Sequence, residues 1–443
     1  MRVITTQLYA AAFFCIPVLT SAQDIGSHMP AASAASAASA LFPSSGPLTL
    51  EQAWQLGETA NPLLRQAQAQ RAAAAGELAD ASKLLWNNPR LSTDLVRRQV
   101  PQMGVDTQTQ REWSLGVEQT FEIGGQQPYR RRAAQQQQQA LDASIEDARR
   151  EMRGEVERRF VQVLSLQERI ATERQSAKLV GDTAASVKKR VAAGEDTRLD
   201  GNVAVVEAAR AGNQINLLEE QLIQARADLA ATLQLPGQAL PTVAGVLDMP
   251  QPFYTLEALL TRAALRPQLK TLDAREEAAR NRLSLERAAR YPDVTVGISS
   301  GREGATQARE RLTSLTVSIP LPLFRQNGTA IGRASSDLTL AQIERQVATR
   351  NGAGNIAALW QKMQSLMARV DALQKTVLPA LQENQTLSVK SLQAGEIGLF
   401  QLLVVNRQVL DGRRDLIDAQ TDLRLTRIAL QLAAGIVGGE ARP

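Results

Sequence analysis

Apolar and polar residues follow two different periods along this chain. Long segments rich in Ala, Gln, Leu, Arg and Glu, above all 128–193 and 328–393, have the composition of extended helices and coiled coils. At 1.5 Å per residue, each of these two helices would span about 100 Å. Between the helical segments, short stretches alternate with a period of two, which is typical of β-strands. The pattern therefore predicts a mainly α-helical protein with a small number of strands.

The alternating stretches predict four strands, at about 90–99, 112–122, 293–300 and 312–321. Strands of about 9–11 residues with one apolar and one polar face fit a membrane β-barrel. Four strands are too few to close a barrel in lipid, so several chains must combine theirs. The polar faces carry carboxylates that would line the lumen: Glu112, Glu118, Glu122 and Asp293. An ordinary half-buried sheet of a soluble protein is the alternative.

The regions that flank the strands add to this interpretation. The connecting segments 100–111 and 301–311 are polar and are expected to be loops on the outside. Aromatic residues gather near the strand ends, as in the interfacial girdles of membrane proteins: Trp86, Trp113, Phe121, Tyr129, Tyr291 and Phe324. Both features favour a sheet that crosses a membrane.

The chain contains two copies of one plan. Thr-Leu-Glu opens a helix twice, and prolines follow at Pro62 and Pro267. Ala-Gly-Glu interrupts the long helices at Gly194 and Gly395. The two copies of each feature are about 200 residues apart. An internal duplication explains this spacing. We therefore divide the mature chain into two repeats, each ordered helix, strand, strand, long helix and returning helix: 48–245 and 246–436.

The two glycines are predicted to be the tips of helical hairpins, at 193–198 and 394–398. Glycine tolerates the positive φ of a sharp reversal. The opening helices, about 53–86 and 256–289, and the returning helices, about 199–235 and 399–432, together match the length of the long helices. A simple kink at each glycine is the alternative, and it would not explain the matching lengths.

The two ends of the chain carry other signals. Residues 1–22 have the basic start, short apolar region and small-residue cleavage site of a secretory signal peptide. Residues 23–47 read as a flexible linker, and 437–443 as a tail. The linker contains Gly26–Met29, which resembles a cloning scar. Lipidation of the only cysteine, Cys15, is an open alternative to its removal with the signal peptide.

Composition excludes several classes of function. The 50 basic and 45 acidic residues are interleaved along the helices. The sequence therefore has no basic patch of the kind that binds nucleic acid. One cysteine and one linker histidine, His28, cannot supply a catalytic triad or a thiolate or imidazole metal site. The sequence therefore predicts a protein that is not an enzyme and has no cofactor or dedicated metal site.

The signal peptide, duplicated plan, strand pairs and Gly-marked tips together resemble the TolC family of outer-membrane efflux channels. The resemblance implies a homotrimer, in which three chains form one twelve-stranded β-barrel and a long periplasmic α-helical coiled-coil tunnel. It also implies residence in the outer membrane of a Gram-negative bacterium, in contact with outer-membrane lipid. The segment "IPLPLFRQNG" (319–328) is similar to one in heavy-metal efflux channels of the cobalt-zinc-cadmium type, although it is one residue shorter here.

The family resemblance also implies partners. The channel would be the passive exit of a tripartite efflux system, with a periplasmic adaptor and a proton-driven inner-membrane pump of the RND type. The adaptor would meet the hairpin tips, whose matching residues are Ala193, Gly194, Glu195, Thr197, Ala394, Gly395, Glu396 and Ile397. Heavy-metal cations are the expected substrate.

A periplasmic gate is implied close to the tips. The family's acidic ring falls here on Gln401 and Val404, which are not acidic. Asp200 matches a recurrent family aspartate, but its usual arginine partner falls on Ile397. Arg198, Asn406 and Arg407 are nearby polar substitutes.

Two other hypotheses remain at the level of sequence. The same channel could export drugs or other small molecules, because the pump and adaptor largely select the substrate. An exported coiled-coil scaffold without a pore is a further alternative, which would partition into aqueous extracts.

Overall fold

The structure, a computed structural model, describes residues 46–102, 104–236, 240–248, 254–304 and 309–436. These residues belong to one unit, Pro43–Pro443. The signal peptide, Cys15, Gly26–Met29 and the tail 437–443 lie outside the described residues, as does most of the linker.

Each repeat opens with two helices, whereas the sequence predicted one. These are α1 (Leu50–Ala60) and α2 (Pro62–Ala81), and later α5 (Leu256–Ala263) and α6 (Pro267–Ala288). The break has a local cause, because a proline at the first helical position has no N–H to continue the preceding helix. In the first repeat, Asn61 also caps the new helix, since its side-chain oxygen accepts hydrogen bonds from the N–H groups of Leu63 (3.0 Å) and Leu64 (3.2 Å).

The long and returning helices lie close to their predicted positions. The first repeat has α3 (Gln126–Ala192) and α4 (Arg198–Thr232), and the second ends with α9 (Leu399–Ala433). With 67 residues, α3 is about 100 Å long.

The long helix of the second repeat is not a continuous α-helix. A π-helical turn, Leu373–Val377, separates α7 (Gly328–Ala372) from α8 (Leu378–Gln393). Pro379, the second residue of α8, cannot donate the backbone hydrogen bond that a regular helix would need there. The wider turn, in which Leu378 donates to the carbonyl of Leu373, accommodates this missing donor.

The four strands form one antiparallel sheet in the order β1-β2-β3-β4. Their bounds are β1 (Arg90–Gln102), β2 (Val105–Phe121), β3 (Val294–Glu303) and β4 (Glu310–Ser318). The segment 100–111, expected to be a loop, is therefore mostly strand, and β4 ends three residues before the predicted limit of 321. The sequence missed the extension because these outer residues are polar on both faces, which removes the alternating signal while backbone pairing continues.

Helix packing supplies the core. In the second repeat, α5, α7 and α9 enclose a cluster of buried side chains: Leu259, Ala263, Ile356, Met363, Leu430, Ala434 and Ile436. In the first repeat, Gly57 lies so close to Met152 and Val156 that a Cβ there would approach the Met152 sulfur to 2.7 Å. These contacts lie in the helical part of the chain, and neither hydrophobic cluster of the described residues includes a strand residue.

Candidate functional site: a two-faced sheet and two helical tips

The sheet presents one apolar face that none of the described residues covers. Leu91, Val117, Ile298 and Leu315 lie directly opposite one another and form a row across all four strands. Their side chains are 68%, 44%, 59% and 73% exposed. Such a band of exposed apolar side chains is typical of a surface that meets lipid or another chain.

The opposite face is polar and more enclosed. Its neighbouring row consists of Arg90, Glu118, Gly297 and Thr316. Close packing of backbone and side chains explains glycine on this face, because a Cβ at Gly297 would approach the Glu118 side chain to 3.0 Å.

Two of the four carboxylates predicted to line a lumen lie on this polar face. Glu118 belongs to the row just described, and Glu112 is buried beside Arg98, with 3.3 Å between their charged groups. Their position on the polar face agrees with the prediction, but the structure does not test whether the face borders a lumen.

The other two predicted lumen residues lie just beyond the strands, where the sheet meets the helices. Glu122 forms an ion pair with Arg130, whose guanidinium lies 4.1 Å from the ring centre of Trp86. Asp293 accepts a hydrogen bond from Gln126 (3.1 Å). Burial raises the pKa of Asp293, and the nearby Glu122 carboxylate raises it further. These two carboxylates therefore connect sheet and helices, and a lumen position for them remains a prediction.

The chain enters the long helices through left-handed residues. Gly125 (φ +74°) precedes α3 and Asn327 (φ +57°) precedes α7 at the equivalent place. The Asn327 amide donates to the backbone carbonyl (2.9 Å) and the carboxylate (2.7 Å) of Glu286. Asn327 and Gly328 therefore turn the chain into α7.

Both predicted tips are sharp reversals rather than kinks. Gly194 (φ +79°) and Gly395 (φ +76°) are left-handed, and the N–H of the next residue bonds back to Arg190 or Ser391 (both 2.9 Å). This is the Schellman arrangement that ends a helix at glycine. No atom lies within 4 Å of a Cβ added at either glycine, so conformation alone requires glycine there.

The tips differ in charge. At the first tip, Arg190 contacts Asp196 (3.0 Å) and Glu195 (3.6 Å). At the second, the equivalent positions hold Ser391 and Ile397, so this ion pair is missing. Ala193, Ala394 and Glu396 are exposed.

Three of the six gate candidates lie in the first turns of the returning helices. Asp200 and Thr197 form a reciprocal cap: the Asp200 N–H donates to the Thr197 hydroxyl (3.2 Å), and the Thr197 N–H donates to the Asp200 carboxylate (3.3 Å). Gln401, at the matching position of the second repeat, accepts from the Gly398 N–H (2.8 Å). Arg198 is exposed as the first residue of α4.

The other three candidates line one cavity. Val404, Asn406 and Arg407 lie on a cavity of about 380 Å³ between α3, α4 and α9, together with Phe400. Asn406 also accepts a hydrogen bond from Gln385 of α8 (2.8 Å).

Sequence reasoning missed a set of polar contacts between α3 and α9. Glu173 and Arg414 form a two-bond ion pair (2.5 and 2.8 Å), and Arg414 is held in its charged state because these hydrogen bonds raise its pKa. The neighbouring pair Arg169–Asp418 is separated by 2.8 Å. Glu173 and Arg414 also line the cavity of the gate candidates. No sequence signal links these residues, because charged residues are frequent on every helix.

The described part of the chain lacks two features. Within the described ranges, no group of three or more His, Cys, Asp or Glu side chains is placed to hold a metal ion. Among the described helices, none combines the length and the apolarity that crossing a membrane requires.

Comparison with known proteins decides the family. The family described as "Outer membrane efflux protein" matches residues 55–233 and 261–436, which is well over half of the chain. The chain belongs to the outer membrane efflux protein family. The two matched segments also fall one in each repeat. The protein is therefore an exit channel of the Gram-negative outer membrane, and its helical part is the periplasmic tunnel.

Individual relatives agree with this assignment. Cobalt-zinc-cadmium resistance protein CzcC of Cupriavidus metallidurans is 28% identical over 383 residues, which cover 84% of this chain and 87% of that protein. Pyoverdine export outer membrane protein OpmQ of Pseudomonas aeruginosa is 28% identical over 293 residues, covering 62% of this chain and 58% of that protein. The crystal structure of CusC shares the fold, with a TM-score of 0.72 at 19% identity over 87% of this chain and 92% of that one.

Proposed function

We propose that this outer-membrane efflux protein is the exit duct for heavy-metal cations in a tripartite system with a periplasmic adaptor and an inner-membrane pump. The observation that carries the substrate class is the similarity to CzcC over 84% of the chain. Transport would need no chemistry in this chain, because energy would come from the pump.

The exposed edges of the sheet support a trimer. β1 and β4 are edge strands, and every residue of β4 is exposed in the single chain. An unpaired strand edge in lipid leaves backbone groups without hydrogen-bond partners, which costs several kcal/mol for each group. Pairing of β4 with β1 of the next copy would remove both edges, and three copies would give the twelve-stranded barrel. The polar row with Glu118 would then face the lumen.

The tips are the proposed adaptor contact. Small or exposed residues at 193–197 and 394–397 would allow a partner helix to approach closely. The first tip holds its carboxylates near Arg190, whereas the second offers Glu396 and the apolar Ile397. Replacing Ala193 or Ala394 by Trp should reduce export while the oligomer remains in the outer membrane. Unchanged export by both variants would contradict this contact.

The cavity between α3, α4 and α9 is the proposed gate region. Val404, Asn406 and Arg407 line it, and the Glu173–Arg414 pair adjoins it. Opening would require α9 to move relative to α3, so this pair would favour the closed arrangement.

Export of an organic molecule is a second candidate, which the similarity to the pyoverdine export protein OpmQ favours. This alternative uses the same channel and differs only in the molecule that the pump delivers.

Deletion of the gene, followed by growth on zinc, cobalt, cadmium, nickel and copper salts, tests the substrate. We expect lower tolerance to at least one salt, with recovery on expression of the wild-type chain. Unchanged tolerance to all five salts would exclude metal export and would leave the channel itself in place.

A further inference from the structure

Four arginines, in two adjacent cross-strand pairs, form an oblique row on the apolar face of the sheet, at the end away from the helices. Arg97 of β1 lies directly opposite Arg111 of β2. Arg302 of β3 lies between Trp113 of β2 and Arg311 of β4. The alternation of each strand places all four on the same face as Leu115 and Ile298, and all four are exposed.

The row lies where the apolar band ends. Arg111 precedes Phe121 by ten residues along β2, and Phe121 marks the end of the strand beside the helices. At about 3.3 Å per residue and a tilt of about 40°, this distance corresponds to a height of about 25 Å, the height of the apolar band of an outer-membrane barrel. This placement rests on the proposed barrel: with the helices in the periplasm, the arginines would lie at the level of the outer leaflet's headgroups.

The charges of this row are not neutralised within the described part of the chain. None of the four arginines forms an ion pair among the described residues, whereas Arg98, one position along on the polar face, contacts Glu112. The two glutamates nearest to the second hairpin, Glu303 and Glu310, pair with each other on the polar face. The described residues of the apolar face at this level include no carboxylate.

We propose that Arg97, Arg111, Arg302 and Arg311 bind the phosphate groups of lipid A, the phosphorylated glycolipid of the outer leaflet. A guanidinium binds a phosphate with two parallel hydrogen bonds, and basic side chains at the edge of an apolar band attract anionic headgroups. Charge complementarity selects this occupant over a zwitterionic lipid. In the proposed trimer, Arg311 at one edge of the sheet and Arg97 at the other would continue the row from chain to chain.

Binding of purified lipid A to the full-length channel in detergent tests this proposal, with bound lipid counted by native mass spectrometry. The quadruple variant R97Q/R111Q/R302Q/R311Q should bind about 1,000-fold more weakly, because each of the four basic groups contributes about 1 kcal/mol near a charged surface. Dephosphorylated lipid A and inorganic phosphate should not displace the bound lipid. Displacement by inorganic phosphate, or wild-type binding by the quadruple variant, would overturn the proposal.

Three further variants separate binding from folding. The quadruple lysine variant keeps the charges, so it should retain binding within about tenfold of the wild type. The matched variants R302Q and R90Q each remove one charge, from opposite faces of the sheet, and only R302Q should weaken binding. An equal loss in R90Q would mean that net charge, not this row, attracts the lipid.

Discussion

Glu173 of α3 and Arg414 of α9 join the two repeats through a buried ion pair across 241 positions of sequence. The arginine donates two hydrogen bonds to the carboxylate, and Glu173 is only 2% exposed. A third contact links Arg414 to Asp411 on its own helix (3.0 Å). Because the Glu173 side chain is buried whereas that of Arg414 is 27% exposed, loss of the arginine should cost more than loss of the glutamate.

Arg414→Met should destabilise the protein strongly. Removal of one partner of a buried pair leaves an uncompensated charge, which costs about 3–5 kcal/mol. The double variant Glu173→Leu with Arg414→Met should be more stable than Arg414→Met alone, because no buried charge then remains. Thermal unfolding of the purified protein in detergent, followed by circular dichroism, measures both effects.

Arg174 provides a control for this experiment. It contacts Glu219 at 2.6 Å, but Arg174 is exposed and Glu219 is only half-buried. Arg174→Met should therefore cost less than about 1 kcal/mol. An equal loss from Arg174→Met and Arg414→Met would show that burial of the pair has no special importance.

The tip glycines should tolerate few substitutions. Gly194→Val and Gly395→Val place a β-branched residue at a positive φ, at a cost of about 1–3 kcal/mol, whereas Asn adopts this conformation more readily. We expect the Val variants to melt at lower temperature and the Asn variants to resemble the wild type. Gly212→Ala, inside α4 with free space around it, should be neutral or stabilising. An unchanged melting temperature of Gly194→Val would contradict the requirement for a residue that adopts the left-handed conformation.

The two faces of the sheet should respond oppositely to charge. Leu315→Arg places a guanidinium on the apolar face, at a cost of about 2–4 kcal/mol near the middle of a bilayer. Its neighbour Thr316 lies on the polar face, so Thr316→Arg should be tolerated. Cell fractionation measures the amount of each variant in the outer membrane. If Leu315→Arg inserted as well as Thr316→Arg, the apolar face would not contact lipid.

The sequence predicted most accurately those features of the fold that depend on neighbouring residues. The period-two stretches around Val117 and Ile298 became paired strands, and the glycines at 194 and 395 became reversals. The breaks at Asn61 and Arg266 have a sequence signal, because each residue precedes a proline. They were nevertheless missed, because the helical pattern continues on both sides. The π-helical turn before Pro379 had a similarly weak signal.

Long-range side-chain contacts could not be predicted. Glu173 and Arg414 look like solvated residues on charged helices, and only the packing of α3 against α9 makes their contact special. The same holds for the arginine row, because residues 97, 111, 302 and 311 share a face only through the register of three strand pairs.

The carboxyl of Asp293, at the foot of the sheet, should make stability depend on pH. Burial, followed by the charge of Glu122, raises the pKa of Asp293 above its usual value of 3.8. A raised pKa means that the fold favours the protonated carboxyl. Its contribution to stability is complete below pH 3.8 and is lost as the pH rises through the raised value.

Asp293→Asn removes this dependence, because the amide oxygen still accepts from Gln126 while the charge beside Glu122 is gone. At neutral pH the variant should therefore melt at the same temperature as the wild type or higher, and the difference should shrink as the pH falls towards 4. Asp337→Asn, at an exposed position on α7, removes the same charge and serves as the control. A variant that became less stable than the wild type as the pH rose would mean that the ionised Asp293 stabilises the junction, contrary to the direction of its pKa shift.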